Sequence, residues 1–265
     1  MVLSILISYP RQTKEGNKIF FEKKDQELTN LDWAKWAGWF DTDGSFEKIA
    51  NHRWWLKRTA LSLKDRQPVE LFSKTFETSL IYREYKTITP EPYKKEYMAN
   101  QYKGSLSGEK AVWFTKNAYP YLIKQEKKDY AVKLLGYRPE SKDFEDWTPD
   151  EVTYYLATAT EGDGGFRVRY SQTTKNIASE IKSSDIQYLA DLRNMTKNKL
   201  GVLYTLSEKS IYETQEGTKT MYGLVICCSR KNPDNLGFFQ SLVKDGVMTL
   251  DRKKQKVQEF LSYMS

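Results

Sequence analysis

Two stretches of the chain, "FDTDGSF" at 40–46 and "TEGDGGF" at 160–166, share one pattern: acid, small residue, Asp-Gly, small residue, Phe. Asp43 and Asp163 stand 120 residues apart, as do Gly44 and Gly164, and Phe46 and Phe166. The register persists downstream. "LSLKD" ends at Asp65 and "EIKSSD" at Asp185, each 22 residues beyond its motif aspartate, and each opens a helical pattern. Self-similarity at a fixed spacing constrains a fold more than local propensity does, because both copies must adopt the same unit. The 265 residues read as an internal duplication.

Each acidic motif ends an apolar helical stretch. Before the first, "TNLDWAKWAGWF" offers Thr29, Asn30 or Asp32 as N-cap; before the second, Thr148 caps, Pro149 takes the first helical position and Glu151 completes a capping box. Both helices are expected to stop at Asp-Gly, with the glycine left-handed. Ala37 and Gly38 in one, and Ala157, Thr158 and Ala159 in the other, are small enough for the two helices to pack side by side and bring Asp43 and Asp163 together.

The period then switches to strands, and each half reads α-β-β-α-β-β-α. In the first, strands are expected near 79–87 and 97–106, with helices near 67–77, 109–124 and 127–136. In the second, strands are expected near 165–171, 178–183, 201–209 and 219–228, with helices near 185–196, 233–244 and 250–263. The expected layout is an extension over 1–28, a first repeat over 29–137, a polar linker over 138–147 and a second repeat over 148–265.

The residue inventory narrows the chemistry. One histidine, His52, in a turn-like "IANHRWW", excludes histidine-based nucleases, Ser-His-Asp hydrolases and His-rich zinc sites. Cys227 and Cys228 offer no disulfide framework, and no apolar run reaches membrane-spanning length, so the expected setting is intracellular, cytoplasmic or organellar, without secretion. A net charge of +7, a pI near 9.0 and 18 tyrosines suit a polyanion, and equally a merely basic protein. A calcium loop fails on spacing, since a loop opening at Asp41 would place Phe46 where glycine is needed and His52 where glutamate is needed. Asp43 and Asp163 as mere helix ends gain nothing, because a carboxylate there faces the negative end of the dipole and its twin repels it. Mg2+, or another divalent cation such as Mn2+, would relieve both penalties.

"WAGWFDTDG" (36–44) and "LATATEGDG" (156–164) resemble the nine-residue motif of the LAGLIDADG homing endonucleases. The first substitutes aromatics for aliphatics. The second carries Thr158 for the usual glycine and Glu161 for the first aspartate, with the final Asp-Gly intact. The resemblance implies an α+β fold of two pseudo-symmetric αββαββα repeats. Motif helices form the interface, and two curved antiparallel sheets form a DNA-binding saddle. It further implies a monomer that makes double-strand breaks in a long, partly asymmetric DNA target. Asp43 and Asp163 would bind metal, helped by the carbonyls of Thr42 and Gly162. A basic residue near each scissile phosphate is also implied, Lys124 in the first repeat and Lys244 or Lys253 in the second. Asp65 and Asp185 fall near such sites but are read as helix caps.

Strand alternation assigns the faces. With Phe46, Leu61 and Leu63 turned to the core, Glu47, Ile49, Asn51, Arg58 and Ser62 point outward. With Phe166 and Ile181 inward, Arg167, Arg169, Ser171, Glu180 and Lys182 point outward. Arginine there suits guanine edges, and Asn51 an adenine. Two rival functions share the fold: an intron maturase that binds RNA, and a DNA-binding protein that does not cut.

Overall fold

The computed structural model describes residues 27–51, 54–88, 96–170, 175–214 and 217–265. The first repeat runs α1 (Asn30–Thr42), β1 (Gly44–Asn51), β2 (Trp54–Leu63), α2 (Arg66–Thr75), β3 (Leu80–Ile88), β4 (Glu96–Ser107), α3 (Glu109–Ala118) and α4 (Gln125–Leu135). The second runs α5 (Pro149–Asp163), β5 (Gly164–Tyr170), β6 (Lys175–Ser183), α6 (Ile186–Leu200), β7 (Thr205–Thr214), β8 (Gly217–Ser229), α7 (Leu236–Leu242) and α8 (Asp251–Met264). The sheets have matching antiparallel orders, β1-β2-β4-β3 and β5-β6-β8-β7. This is the expected α+β duplication. Of the expected extension over 1–28, only residues 27 and 28 are described, and Leu28 packs against the core.

The caps form as the sequence indicates. Thr29 accepts from the Asp32 N–H while Asp32 reaches back to the Thr29 N–H at 2.8 Å, and Thr148 with Glu151 repeats the box. The helix expected over 109–124 ends at Ala118 and passes into a 3-10 turn, Tyr119–Tyr121, because Pro120 has no N–H to continue the ladder. The linker is partly anchored: Trp147 is buried and meets Tyr121 and Tyr155 edge-on.

α1 is buried from Trp33 through Asp41, so it is a central helix rather than an amphipathic one. Trp33, Trp36 and Phe40 turn into their own repeat and mesh with Phe72 and Phe76 of α2 and its C-cap and with Phe114 of α3. The opposite side packs on α5. There the halves fit by exchange. A Cβ on Gly38 would stand 2.3 Å from Thr158 Oγ1 and 2.5 Å from the Tyr155 carbonyl; one on Gly162 would stand 2.2 Å from Thr42 Oγ1. Gly38 and Thr158 occupy equivalent positions in the two repeats, as do Thr42 and Gly162. In each pair one member is a glycine that admits the other's threonine.

The motif glycines correct an expectation. Gly164 is extended (φ −135°), and Gly44 is absent from the described glycines with positive φ, which are Gly108, Gly136, Gly201 and Gly246. Glycine is required there for space: a Cβ on Gly44 would lie 2.3 Å from the Phe40 ring, and one on Gly164 would lie 2.1 Å from the Glu180 carbonyl.

Gly38→Ala forces the two motif helices apart against the Tyr155 main chain. The expected loss is about 1–3 kcal/mol, the usual cost of overpacking, read as a lower urea midpoint with an unchanged slope.

Candidate active site

Asp43 follows the last residue of α1 and donates its N–H to the Trp39 carbonyl at 2.9 Å; Asp163 is the last residue of α5. Close helix packing carries the Asp43 carboxylate across to the other repeat, where a Cβ on Gly162 would stand 2.6 Å from Asp43 Oδ2. Among the described residues that oxygen is buried with no hydrogen-bond partner. Burial first, and then the Asp163 charge, push Asp43 up to about 6. The pairing inferred from the small residues is therefore realised.

The first acid of each motif has a different task. Asp41 is fully buried and accepts the Ile123 N–H at 2.7 Å and the Tyr155 hydroxyl. Its counterpart Glu161 accepts the N–H groups of Thr249 at 2.9 Å and Leu250 at 2.6 Å. Each acid thus ties the motif helix to the chain just before its repeat's last helix, α4 or α8. Burial raises Asp41 to about 6 and Glu161 to about 7.

Three lysines gather at this junction. Lys124, the N-cap residue of α4, donates to Asp163 Oδ2 at 3.2 Å and sits 4.9 Å over the Tyr188 ring. Lys127 donates to the Gly44 carbonyl at 2.6 Å. Lys253 donates to the carbonyls of Glu161 at 2.5 Å, Gly164 at 2.9 Å and Thr160 at 3.1 Å, and burial pushes it down to about 8. Lys127 and Lys253 are both the third residue of their helix, so Lys253 is the counterpart of Lys127. The counterpart of Lys124 is Leu250, and Lys244 lies exposed between α7 and α8. The fixed offset of 120 fails here because the stretch preceding the last helix is longer in the second repeat. Sequence reading missed Lys127, and its only signal is that shared helical position.

Asp185 caps α6 by accepting the Tyr188 N–H at 3.0 Å, as expected. Asp65 does not cap α2. It takes a two-point contact from Arg252, at 3.0 and 2.6 Å, which joins the two repeats.

Among the described residues, those expected to point outward lie on the outer sheet faces. Glu47 faces Arg58 across β1 and β2 and pairs with it, while Ile49 and Ser62 are partly exposed on the same side. Arg167 and Arg169 are exposed on β5. The Asn51 side chain and Ser171 lie outside the described residues, as does His52. Glu180 occupies the expected face but is covered, its side chain 10% exposed beneath Arg167 at 3.2 Å, Lys209 at 3.3 Å and Lys182 at 3.9 Å. A β-bulge between Glu208 and Ser210 re-aims Lys209, whose stem crosses Gly223 with no room for a Cβ. Glu180 thus organises cations that face outward.

A divalent cation suits the junction. Among the described residues no group of three or more His, Cys, Asp or Glu side chains gathers around a metal position. Two carboxylates meet there nevertheless, one with a buried unpartnered oxygen. Mg2+ commonly takes one or two carboxylates and completes its shell with water and phosphate oxygens. The Thr42 and Gly162 carbonyls lie in the last turns, where helix carbonyls lack intrahelical partners.

The duplicated α+β architecture, with two four-stranded antiparallel sheets and paired motif helices, matches the fold of the LAGLIDADG homing endonucleases, and the resemblance seen in the two motifs holds at the level of fold. The chain is similar to I-GzeII, a LAGLIDADG homing endonuclease solved in complex with its DNA target, with a TM-score of 0.55, 12% identity and 90% of each chain covered. It is also similar to the homing endonuclease I-WcaI, bound to its DNA recognition sequence, with a TM-score of 0.50, 15% identity, and 93% of this chain and 95% of that one covered. No protein-family model and no curated protein matches the sequence. Among the described residues no helix is long and apolar enough to cross a membrane.

The raised Asp43 makes its charge a burden on the fold. That burden is absent below the ordinary value of 3.8, grows as pH rises, and is complete above about 6. Asp43→Asn is therefore expected to raise the melting temperature at pH 8 but not at pH 4, by a gain on the order of 2 kcal/mol in chemical unfolding.

Proposed function

We propose that the protein is a site-specific DNA endonuclease that hydrolyses one phosphodiester in each strand of a long, partly asymmetric duplex, as a monomer with Mg2+ or Mn2+. The observation that carries this reading is the Asp43–Asp163 pair. Two acids are held at adjacent helix ends, one with a buried oxygen left open, where folding alone gains nothing from them.

Asp43 and Asp163 would hold the cation, with the Thr42 and Gly162 carbonyls beside them. A bound divalent ion supplies Lewis acidity and a water of lowered pKa, so no histidine is needed. Lys124, at Asp163, presents a fixed positive charge to the phosphate as negative charge builds on it. In each hydrolysis a bond forms from water oxygen to phosphorus while a backbone P–O bond breaks. The water gives up a proton and the leaving oxygen gains one.

Glu47, Ile49, Asn51, Arg58 and Ser62 on one sheet, and Arg167, Arg169, Ser171, Glu180 and Lys182 on the other, would face the groove. Cations set by buried or paired acids keep fixed positions, as direct base readout requires. Both solved neighbours are bound to DNA, which supports this use of the surface here.

The test is a supercoiled plasmid carrying the joined flanks of this reading frame's host element. In Mg2+ the wild type should give linear product, and Asp43→Asn and Asp163→Asn should each lower cutting by roughly 10²-fold or more, the scale of losing a principal transition-state contact. Mg2+ should also raise the wild-type melting temperature at pH 8, and do so less in either variant. Tight binding with no cut would make the protein a DNA-binding member of the fold. Promotion of splicing of the precursor RNA, without cutting, would make it a maturase.

A further inference from the structure

One end of the second sheet is gripped from its inward side by α8. Strand alternation turns Arg169 and its partner Asn176 outward at that end, and turns the next pair, Tyr170 and Lys175, toward the helix. There the Lys175 ammonium donates to the Glu259 carbonyl at 3.2 Å and to Glu259 Oε1 at 3.3 Å, with the Tyr170 ring at 4.8 Å and the Tyr263 ring at 5.7 Å. The Tyr170 hydroxyl donates to the same carboxylate, and the Tyr263 hydroxyl accepts the Lys175 main-chain N–H at 3.2 Å. Arg230, just past β8, lies 4.3 Å over the Tyr263 ring and donates to the Tyr263 carbonyl at 2.5 Å. The Lys175 side chain is left only 12% exposed at the very end of its strand. The first repeat is built differently here. α8 runs three residues further past Lys253 than α4 runs past Lys127, and Tyr137, the match of Tyr263, lies beyond α4 and is exposed. Exposed ion pairs and cation–π contacts are singly weak and add little to the stability of a whole domain. Converging from β5, β6 and α8, they instead fix one place.

We propose that Glu259 and Tyr263 are positioning residues for DNA recognition: by latching Tyr170 and Lys175 from behind, they set the place of Arg169 and Asn176 on the outward face. This rests on the DNA-binding part of the reading above. An arginine reads a base edge only when its guanidinium is held in register with the groove. β5 is the edge strand of its sheet and pairs with β6 alone, so its end has no second strand to hold it. The latch supplies that hold, and a helix behind the sheet thereby governs recognition of the base pairs that this end meets.

Binding of duplexes that span the joined flanks of the host element, each substituted at one base pair, tests this without divalent metal. Tyr263→Leu, which removes both ring and hydroxyl, should bind the unsubstituted duplex about ten-fold more weakly, the scale of losing one base contact. The loss should fall on the same few base pairs that Arg169→Ala loses, and the two substitutions together should cost no more than Arg169→Ala alone. Unchanged binding, a loss spread evenly over all base pairs, or losses that simply add would overturn the proposal. Amide hydrogen exchange reads the latch without DNA. The Lys175 amide should exchange several-fold faster in Tyr263→Phe, which removes only its acceptor, while the amides of β7 keep their rates; an unaltered Lys175 rate would remove the latch. If the wild type binds no such duplex, the DNA reading fails and this proposal with it. If it binds and does not cut, the endonuclease reading fails and the binding data still decide the latch.

Discussion

The approach of α1 to α5 is the contact on which the rest of the molecule depends. Two helices this close need small residues where they touch, yet a seam of glycine alone would weaken both helices by about 1 kcal/mol per residue relative to alanine. The chain uses one glycine in each equivalent pair. Gly38 admits Thr158, and Gly162 admits Thr42. Both threonine hydroxyls bond back to carbonyls of their own helix, Thr42 to Trp39 at 3.0 Å and Thr158 to Tyr155 at 3.0 Å, while Thr158 also reaches the Lys35 carbonyl across the seam at 2.9 Å. The exchange breaks exact symmetry between the halves where the two motif helices meet.

Close packing of the two helices concentrates an electrostatic problem at one end of the seam. Each helix C-terminus carries partial negative charge, and each adds a carboxylate to it. A charge of the wrong sign at a helix end costs about 0.3–1 kcal/mol in exposed cases. The surrounding lysines offset this in two ways. Lys127 and Lys253 bind the main-chain carbonyls where each helix passes into its first strand, and Lys124 binds a carboxylate directly. Asp41 and Glu161 hold the segments that lead into the helices carrying those lysines, so the first and second acids of each motif act on the same place from opposite sides. The site is consequently one assembly of both repeats, and neither half holds all of it.

Much of this was legible in the linear sequence. The duplication, both capping boxes, the element order and the meeting of Asp43 with Asp163 follow from spacing and residue type, because helix ends and strand alternation are local properties. Helix and strand limits shift by a few residues, most visibly at Pro120. The motif glycines were legible as necessary but for the wrong cause, since what excludes a side chain at Gly164 is the Glu180 carbonyl of a neighbouring strand. Glu180 was placed on the correct face, but its cover of three cations comes partly from Lys209, which a bulge turns toward it.

The sequence by itself therefore determined the repeat, its period, the identity of the paired acids and the faces of the strands, all of which depend on near neighbours along the chain. Only the tertiary structure decided which lysine meets a carboxylate and which meet main-chain carbonyls. Lys124, Lys127 and Lys253 reach their partners across loops of unequal length, so a fixed offset in numbering cannot pair them. The division of labour between Asp41 and Asp43 belongs to the same class. Two acids two positions apart at the end of a helix point to different sides, and what each one meets is supplied by distant parts of the chain.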